Sequence, residues 1–283
     1  MSERCACRLS GQWRSVTRYR AKVQPQQVEA TAHLVERLQE IAKKNRRRGY
    51  RLAHQRLRRD GQTVNHKRVH RLWKKAGLSV LPRKRHKKIR SKSVVREVSA
   101  DRPNAVWCLD FISDQTVNGQ KLRVLCVTDE FTRESLTIEV GTCFVSERVC
   151  AVLENIIKQR GVPGALRMDN GPEFVALVLR GLCHRRGIDP AYIEPGKPWQ
   201  NGFAESFHSR FRDEFLNEEV FLSSLDAQVR MGVWQRYYNQ ERLHSSLGYQ
   251  PPIEFAAHWA EKEKENRENA APTKETVGPT NGG

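Results

Sequence analysis

Three carboxylates stand where chemistry could be done. Asp110 interrupts the apolar run Trp107-Cys108-Leu109-Asp110-Phe111-Ile112-Ser113. Asp169 follows Leu166-Arg167-Met168 and opens Asn170-Gly171-Pro172. Glu205 comes just after the loop Gly196-Lys197-Pro198-Trp199-Gln200-Asn201-Gly202, at the start of a phenylalanine-rich helix. Taken singly, each has a bland reading. A carboxylate inside a buried strand is costly unless it is paired or bound to a cation, so Asp110 reads equally as a structural ion pair or a site. Asp169 sits where open α/β sheets bind ligands, at a strand's carboxyl end, yet Asp and Asn-Gly also favour turns for local reasons. Glu205 alone is an ordinary solvated glutamate. Together they are the oxygen ligands that Mg²⁺ or Mn²⁺ prefers. Clustered carboxylates repel unless a divalent ion neutralises them, and two such ions can activate an attacking oxygen and stabilise a leaving one in phosphodiester chemistry.

The elements that must position these acids are legible. Ala105–Ile112 and Leu122–Thr128 read as apolar strands and Glu134–Val140 as an alternating one, with a turn at Val117-Asn118-Gly119, which makes an antiparallel meander. Ser146–Arg160 reads as a helix capped by Ser146, with Val149, Val152, Leu153, Ile156 and Ile157 as its stripe. A strand at Ala165–Met168, a helix at Phe174–Arg186 and a strand at Ala191–Ile193 follow. The expectation is an α/β fold: a mixed five-stranded sheet with flanking helices. In the next helix Phe203, Phe207, Phe211 and Phe215 form an apolar stripe, while Glu205, His208, Ser209 and Arg212 share a separate polar face. Asn201 could cap that helix. Trp234, Tyr237 and Tyr238, at helical spacing, read as core rather than as platforms for stacking bases.

The chain's charge is lopsided. Of 283 residues, 50 are Lys or Arg and 32 Asp or Glu, for a net charge of +18. Residues 1–100 hold 29 basic against 6 acidic side chains, whereas the remainder is mildly acidic. A basic third on an acidic body implies a module that meets a polyanion, and neutralising DNA phosphates releases counterions. Within residues 25–80, Val28, Ala32, Val35, Leu38 and Ala42 mark one amphipathic helix, Tyr50–Arg59 a second, and the segment from Asn65 to Gly77 a third. Two short helices around Asp60-Gly61, the second basic, read as an all-α helix-turn-helix domain with Lys67, Arg68, Arg71, Lys74 and Lys75 turned to DNA. Residues 1–24 read as a basic segment, 81–100 as a basic linker, 101–258 as the catalytic body and 259–283 as a disordered tail.

Several classes fall away. No apolar run approaches the about 18 residues of a membrane span, and the first residues lack a signal peptide's apolar core. Seven cysteines at irregular positions do not make a secreted disulfide framework, and no CxxC pair offers a zinc knuckle. A reduced, cytoplasmic chain is expected.

The words around the acids resemble a known family. WCLDFISD, RMDNGPEF, GKPWQNGFAESFHSRFRDEFLNE and YYNQERLHSSLGYQPP, with 35 residues between Asp169 and Glu205, are similar to the OrfB part of IS-three-family insertion-sequence transposases. GYRLAHQRLRRDGQTVNHKRVHRLWKKAGL resembles the helix-turn-helix segment that precedes the core in that family. The resemblance spans about residues 25–255. It implies an RNase H-like core of retroviral-integrase type, in which Asp110, Asp169 and Glu205 hold two Mg²⁺ ions, with Mn²⁺ as a substitute. Activated water would cut the element's end, and the freed 3′-OH would attack a second phosphodiester without a covalent protein intermediate. Arg212, seven residues after Glu205, is the implied contact to terminal DNA. Lys197, Asn170 and Gln200 are further candidate contacts, Asn170 also as an orienter of Asp169, and Gly171 as a geometric necessity. His244–Tyr249 matches a carboxyl-terminal signature that reads as a docking turn. The resemblance also implies double-stranded DNA as partner, a homo-oligomer on DNA, no membrane, and an OrfA partner or frameshift fusion, so this chain is expected to be half of the working enzyme. Two other readings stay open: a DNA-binding regulator without catalysis, and an RNase H-like nuclease.

Overall fold

A computed structural model describes residues 2–18, 25–80, 98–194 and 198–270. The chain divides into two compact units, residues 1–82 and 83–283. Lys197, the linker residues 81–97 and the tail beyond Ala270 lie outside the described residues.

Among its described residues the first unit has helices and no strand. Two short helices, α1 (Glu3–Ser10) and α2 (Arg14–Thr17), occupy the segment that the sequence leaves without assigned structure, and Glu3 pairs with Arg18 at 2.7 Å. Next come α3 (Pro25–Lys44), α4 (Tyr50–Arg59) and α5 (His66–Lys75). Their core is Leu34, Leu38, Ala53, Leu57, Val69 and Trp73. The expected α3 stripe is therefore displaced: Val28 is exposed, and Leu34 and Leu38 do the packing. The packed residues of α3 begin at Leu34, where Ala53, Leu57, Val69 and Trp73 of α4 and α5 complete the core, and Val28 lies before that cluster. Asn65 caps α5 by accepting the N–H of Lys67 at 2.8 Å, as its position implies. Gly77, just past the helix, has φ of +70°, a conformation a side chain would strain.

The second unit is a five-stranded sheet of order β3-β2-β1-β4-β5, formed by β1 (Val106–Gln115), β2 (Lys121–Asp129), β3 (Ser135–Gly141), β4 (Ala165–Met168) and β5 (Asp189–Tyr192). β1, β2 and β3 form the antiparallel meander, while β4 runs parallel to β1 and β5 parallel to β4. One face of the sheet, with Trp107 and Leu109, packs on α6 (Ser146–Arg160) and α8 (Leu177–Arg186). The opposite face, with Ile112, Val124 and Cys126, packs on α9 (Gly202–Phe211) and α10 (Ser224–Gln240). This is the mixed sheet with flanking helices that the pattern implies.

Details differ. Ser146 begins α6 without a capping hydrogen bond, the cap position being Val145. The single helix expected over Phe174–Arg186 is two, α7 (Pro172–Val175) and α8, because Ala176 is extended. α11 (Pro252–Ala270) continues twelve residues into the segment read as a disordered tail. Trp259 and Phe255 pack on Phe131, with ring centroids 5.8 and 5.6 Å apart, and the following Glu, Lys and Ala residues are strong helix formers. An anchor beyond the expected boundary thus carries the helix onward. Trp234 and Tyr238 are buried against the sheet as core. His244–Tyr249 is a turn closed by His244 and Gln250, with Gly248 at φ +64°.

Candidate active site

β1 alternates its side chains, so Cys108, Asp110 and Ile112 face α9 while Trp107, Leu109 and Phe111 face α6 and α8. Asp110 sits opposite Cys126 of β2 and is half-buried. Its Oδ1 accepts the N–H of Phe111 at 2.8 Å. Its Oδ2 accepts the side-chain N–H of Asn201 at 3.2 Å and lies 3.6 Å from Nδ1 of His208. Burial, and then the charges of Asp169 and Glu205, push the Asp110 carboxyl up to about 6, against one favourable backbone N–H. Asp169 and Glu205 are therefore near enough for Asp110 to feel both charges. Among the described residues, however, no three His, Cys, Asp or Glu side chains are drawn together as a preformed metal cage.

Asp169 follows the last residue of β4 and is exposed. Its Oδ1 accepts the N–H of Gly171 at 3.0 Å. A Cβ on Gly171 would stand 3.0 Å from that same oxygen, so the glycine is a matter of space at the acid rather than of an unusual φ. Asn170 does not orient Asp169. Its amide donates to the carbonyl of Ile193 at 2.7 Å, tying the turn to the end of β5. Glu205 is exposed in the first turn of α9.

Asn201 does not cap α9. Its side chain turns inward instead, its Oδ1 accepting the Cys108 S–H at 2.8 Å while its amide reaches Asp110. Gln200 is paired with Glu194, donating to its carboxylate and accepting its backbone N–H, both at 2.9 Å. Phe207 and Phe211 of α9 and Phe215 beyond it are buried against Trp234, but Phe203 leaves the stripe and lies under the Arg133 guanidinium, 3.7 Å from the ring centroid. After Phe211 the helix widens into a π-helical turn, Arg212–Leu216. Arg212 is exposed there and donates to the Ser113 carbonyl at 3.0 Å. His208 is held neutral: burial, then the Arg212 charge, push its imidazole down to about 4. In the helical unit Lys67, Arg68, Arg71, Lys74 and Lys75 are all exposed on α5, and Arg68 also donates to Thr31 of α3 at 2.9 Å.

Sequence reasoning missed Asn201 and His208 as partners of Asp110, and it missed Cys108. It also missed the buried pair of Arg167 with Glu130 at 2.7 Å, which settles charge one strand from the site. A signal existed for the first two. Asn201, Glu205 and His208 fall at four- and then three-residue spacing, one face of a helix.

The integrase core domain family matches residues 100–198 and again 186–252, and an HTH-like domain family matches residues 29–86. The uncharacterized 39.2 kDa protein of insertion element IS476 from Xanthomonas euvesicatoria is 41% identical, covering 94% of this chain and 75% of that protein. The uncharacterized 31.7 kDa protein of insertion element IS407 from Burkholderia multivorans is 40% identical over 91% of both. Transposase InsD of insertion element IS2 from Escherichia coli is 29% identical over 73% of this chain and 72% of its own length. The fold also resembles a chain of the simian T-cell lymphotropic virus intasome bound to PP2A regulatory subunit B56 gamma, with a TM-score of 0.50 and 14% identity, covering 77% of this chain and 71% of that one. An integrase core behind an HTH-like domain, shared with insertion-element proteins over most of the chain, settles the family: this chain belongs to the insertion-element transposases of the IS-three, OrfB type.

Proposed function

We propose that this transposase cuts DNA at the ends of its element and joins the freed 3′-OH to a target, with Asp110, Asp169 and Glu205 as the catalytic acids. The observation that carries this is geometric: Asn201 and His208, which flank Glu205 at the start of α9, lie 3.2 and 3.6 Å from Asp110 Oδ2, and β4, which ends beside Asp169, pairs parallel with β1. The donor set is all oxygen and self-repelling, which suits a hard divalent ion, and two of its members are exposed and able to adjust to one. Two Mg²⁺ ions, or Mn²⁺, would supply activation of the attacking oxygen and stabilisation of the leaving one. The chain's own residues do the rest. Asp110 is held by the Phe111 N–H and the Asn201 amide, with His208 Nδ1 3.6 Å away, and Asp169 by the Gly171 N–H. Arg212 stands two turns along the Glu205 face with a charge to offer a phosphate. Lys67, Arg68, Arg71, Lys74 and Lys75 line the outer face of α5 as the duplex-binding surface, with Lys197, Asn170 and Gln200 as further contacts to DNA.

The substrate is double-stranded DNA: the element's terminal repeats and a target, in the bacterial cytoplasm. A second copy of the chain and an OrfA protein or fusion are the proposed partners. The test is a labelled duplex carrying the sequence that flanks the gene, incubated with the protein and Mg²⁺ or Mn²⁺ beside Asp169→Asn. Metal-dependent cleavage and joined products, absent in the variant, support the reading. Hydrolysis without joining would favour a nuclease, and binding without any cut a regulator.

A further inference from the structure

Asn201 occupies a cap position and caps nothing. It is 6% exposed, and its amide is spent on β1. Cys108 and Asp110 are alternate residues of that strand and face the same side, so one planar amide spans both: Oδ1 accepts from the Cys108 thiol at 2.8 Å and Nδ2 donates to Asp110 Oδ2 at 3.2 Å. The chemistry sets which way round the amide lies, because an ionised carboxylate only accepts and a thiol donates. With Asp110 Oδ1 taken by the Phe111 N–H, the carboxylate is restrained at both oxygens.

Asn201 also directly precedes α9, whose first turn carries Glu205. Asn201, Glu205 and His208 share one helical face; Asn201 bonds Asp110 Oδ2, and His208 Nδ1 lies 3.6 Å from the same oxygen. We propose that Asn201 is a positioning residue for transposition: its bridge across Cys108 and Asp110 locks the Asp110 carboxylate in one rotamer and sets the register of α9 against β1, so that Glu205 is presented to Asp110. The proposal rests on the assignment of these acids as the catalytic set. Removing the hydrogen-bond partner of a metal-binding group commonly lowers metal affinity about 10- to 100-fold, which sets the scale of the effect.

The experiment uses the full chain and Mn²⁺ alone as probe, without DNA, following free Mn²⁺ by electron paramagnetic resonance. Alongside it are the metal-free melting temperature, the rise that Mn²⁺ produces, and kcat and KM on a terminal duplex. Asn201→Leu is expected to weaken Mn²⁺ by about tenfold or more, to shrink the Mn²⁺-induced rise, and to lower kcat while leaving the KM for DNA in place. Cys108→Ser keeps a donor toward Oδ1 and is expected to bind Mn²⁺ within about twofold of wild type. If Asn201→Leu does not fold, Asn201→Ser, whose hydroxyl is too short to span both partners, carries the same expectation. Wild-type Mn²⁺ affinity in the Asn201 variant, with binding lost in Asp110→Asn, overturns the positioning role alone. Unchanged affinity in Asp110→Asn overturns the acid site itself, and the proposal with it.

Discussion

Glu214 and Arg242 form a two-pronged ion pair, 2.6 and 2.8 Å long, between side chains that are each less than a tenth exposed. It joins the π-helical turn that follows α9 to the segment that follows α10, and Arg242 in turn lies 3.1 Å from His244. The helix that presents Glu205 is therefore tied down beyond its own carboxyl end. A buried charge left without its partner costs about 3–5 kcal/mol. Glu214→Ala is expected to lower unfolding stability on that scale, read by denaturant titration, whereas an alanine at exposed Glu205 changes it by less than about 0.5 kcal/mol.

Asp110 carries a stability cost that its amide does not. Its pKa rises from 3.8 unfolded to about 6 folded, so the folded chain keeps the proton over that window while the unfolded chain has lost it. Stability then falls as pH rises from 3.8 toward 6, and the full cost, about 3 kcal/mol, is present above. Metal-free Asp110→Asn is expected to be more stable than wild type at pH 7.5, with an advantage that shrinks by about half at pH 5. Mg²⁺ should raise the melting temperature of wild type and not of the variant. Thermal melts at the two pH values, with and without Mg²⁺, check both statements.

The same group sets a pH dependence for the reaction. A carboxyl that titrates near 6 competes with the metal for its site, so cleavage at limiting Mg²⁺ is expected to rise about tenfold per pH unit below 6 and to level off above it. His208, pushed down to about 4, stays neutral throughout this range and adds no second step. Saturating Mg²⁺ should move the inflection to lower pH. A profile that is flat from pH 5 to 8 at limiting metal would contradict the assignment of Asp110.

The exposed cations of α5 are expected to act on DNA affinity through charge. Arg71→Ala, Lys74→Ala and Lys75→Ala should each weaken duplex binding and reduce the salt slope by about one where a phosphate contact is lost. Trp73→Ala instead empties the core of the helical unit and should cost about 3–5 kcal/mol of its stability. Binding titrations at several salt concentrations, beside circular dichroism, separate the two effects.

Much of this is legible in the amino-acid sequence. Period-two and helical apolar patterns place β1 through β4, α4, α5 and α6 to within a few residues, because burying one face of each element demands that spacing. The acids stand out because a carboxylate in an apolar strand, or at a strand's end, breaks the local pattern. Residue type and spacing also give the basic module and raise the expectation of a metal at the acids, since both follow from charge.

What only tertiary structure decided are the pairings across long separations. Asn201 looks like a helix cap by position, yet β1 offers its amide a thiol and a carboxylate, and burial makes those partners worth more than an exposed backbone N–H. Phe203 fits an apolar stripe, yet Arg133 comes in from the β2–β3 connection to cover its ring. α11 reads as a charged tail until Trp259 meets Phe131, more than a hundred residues earlier in the chain. Sequence determines what each residue can bond and which face of its element it occupies. Which of several competing partners it takes is settled by the packing of distant segments, where exclusion of water decides the strength of every polar contact.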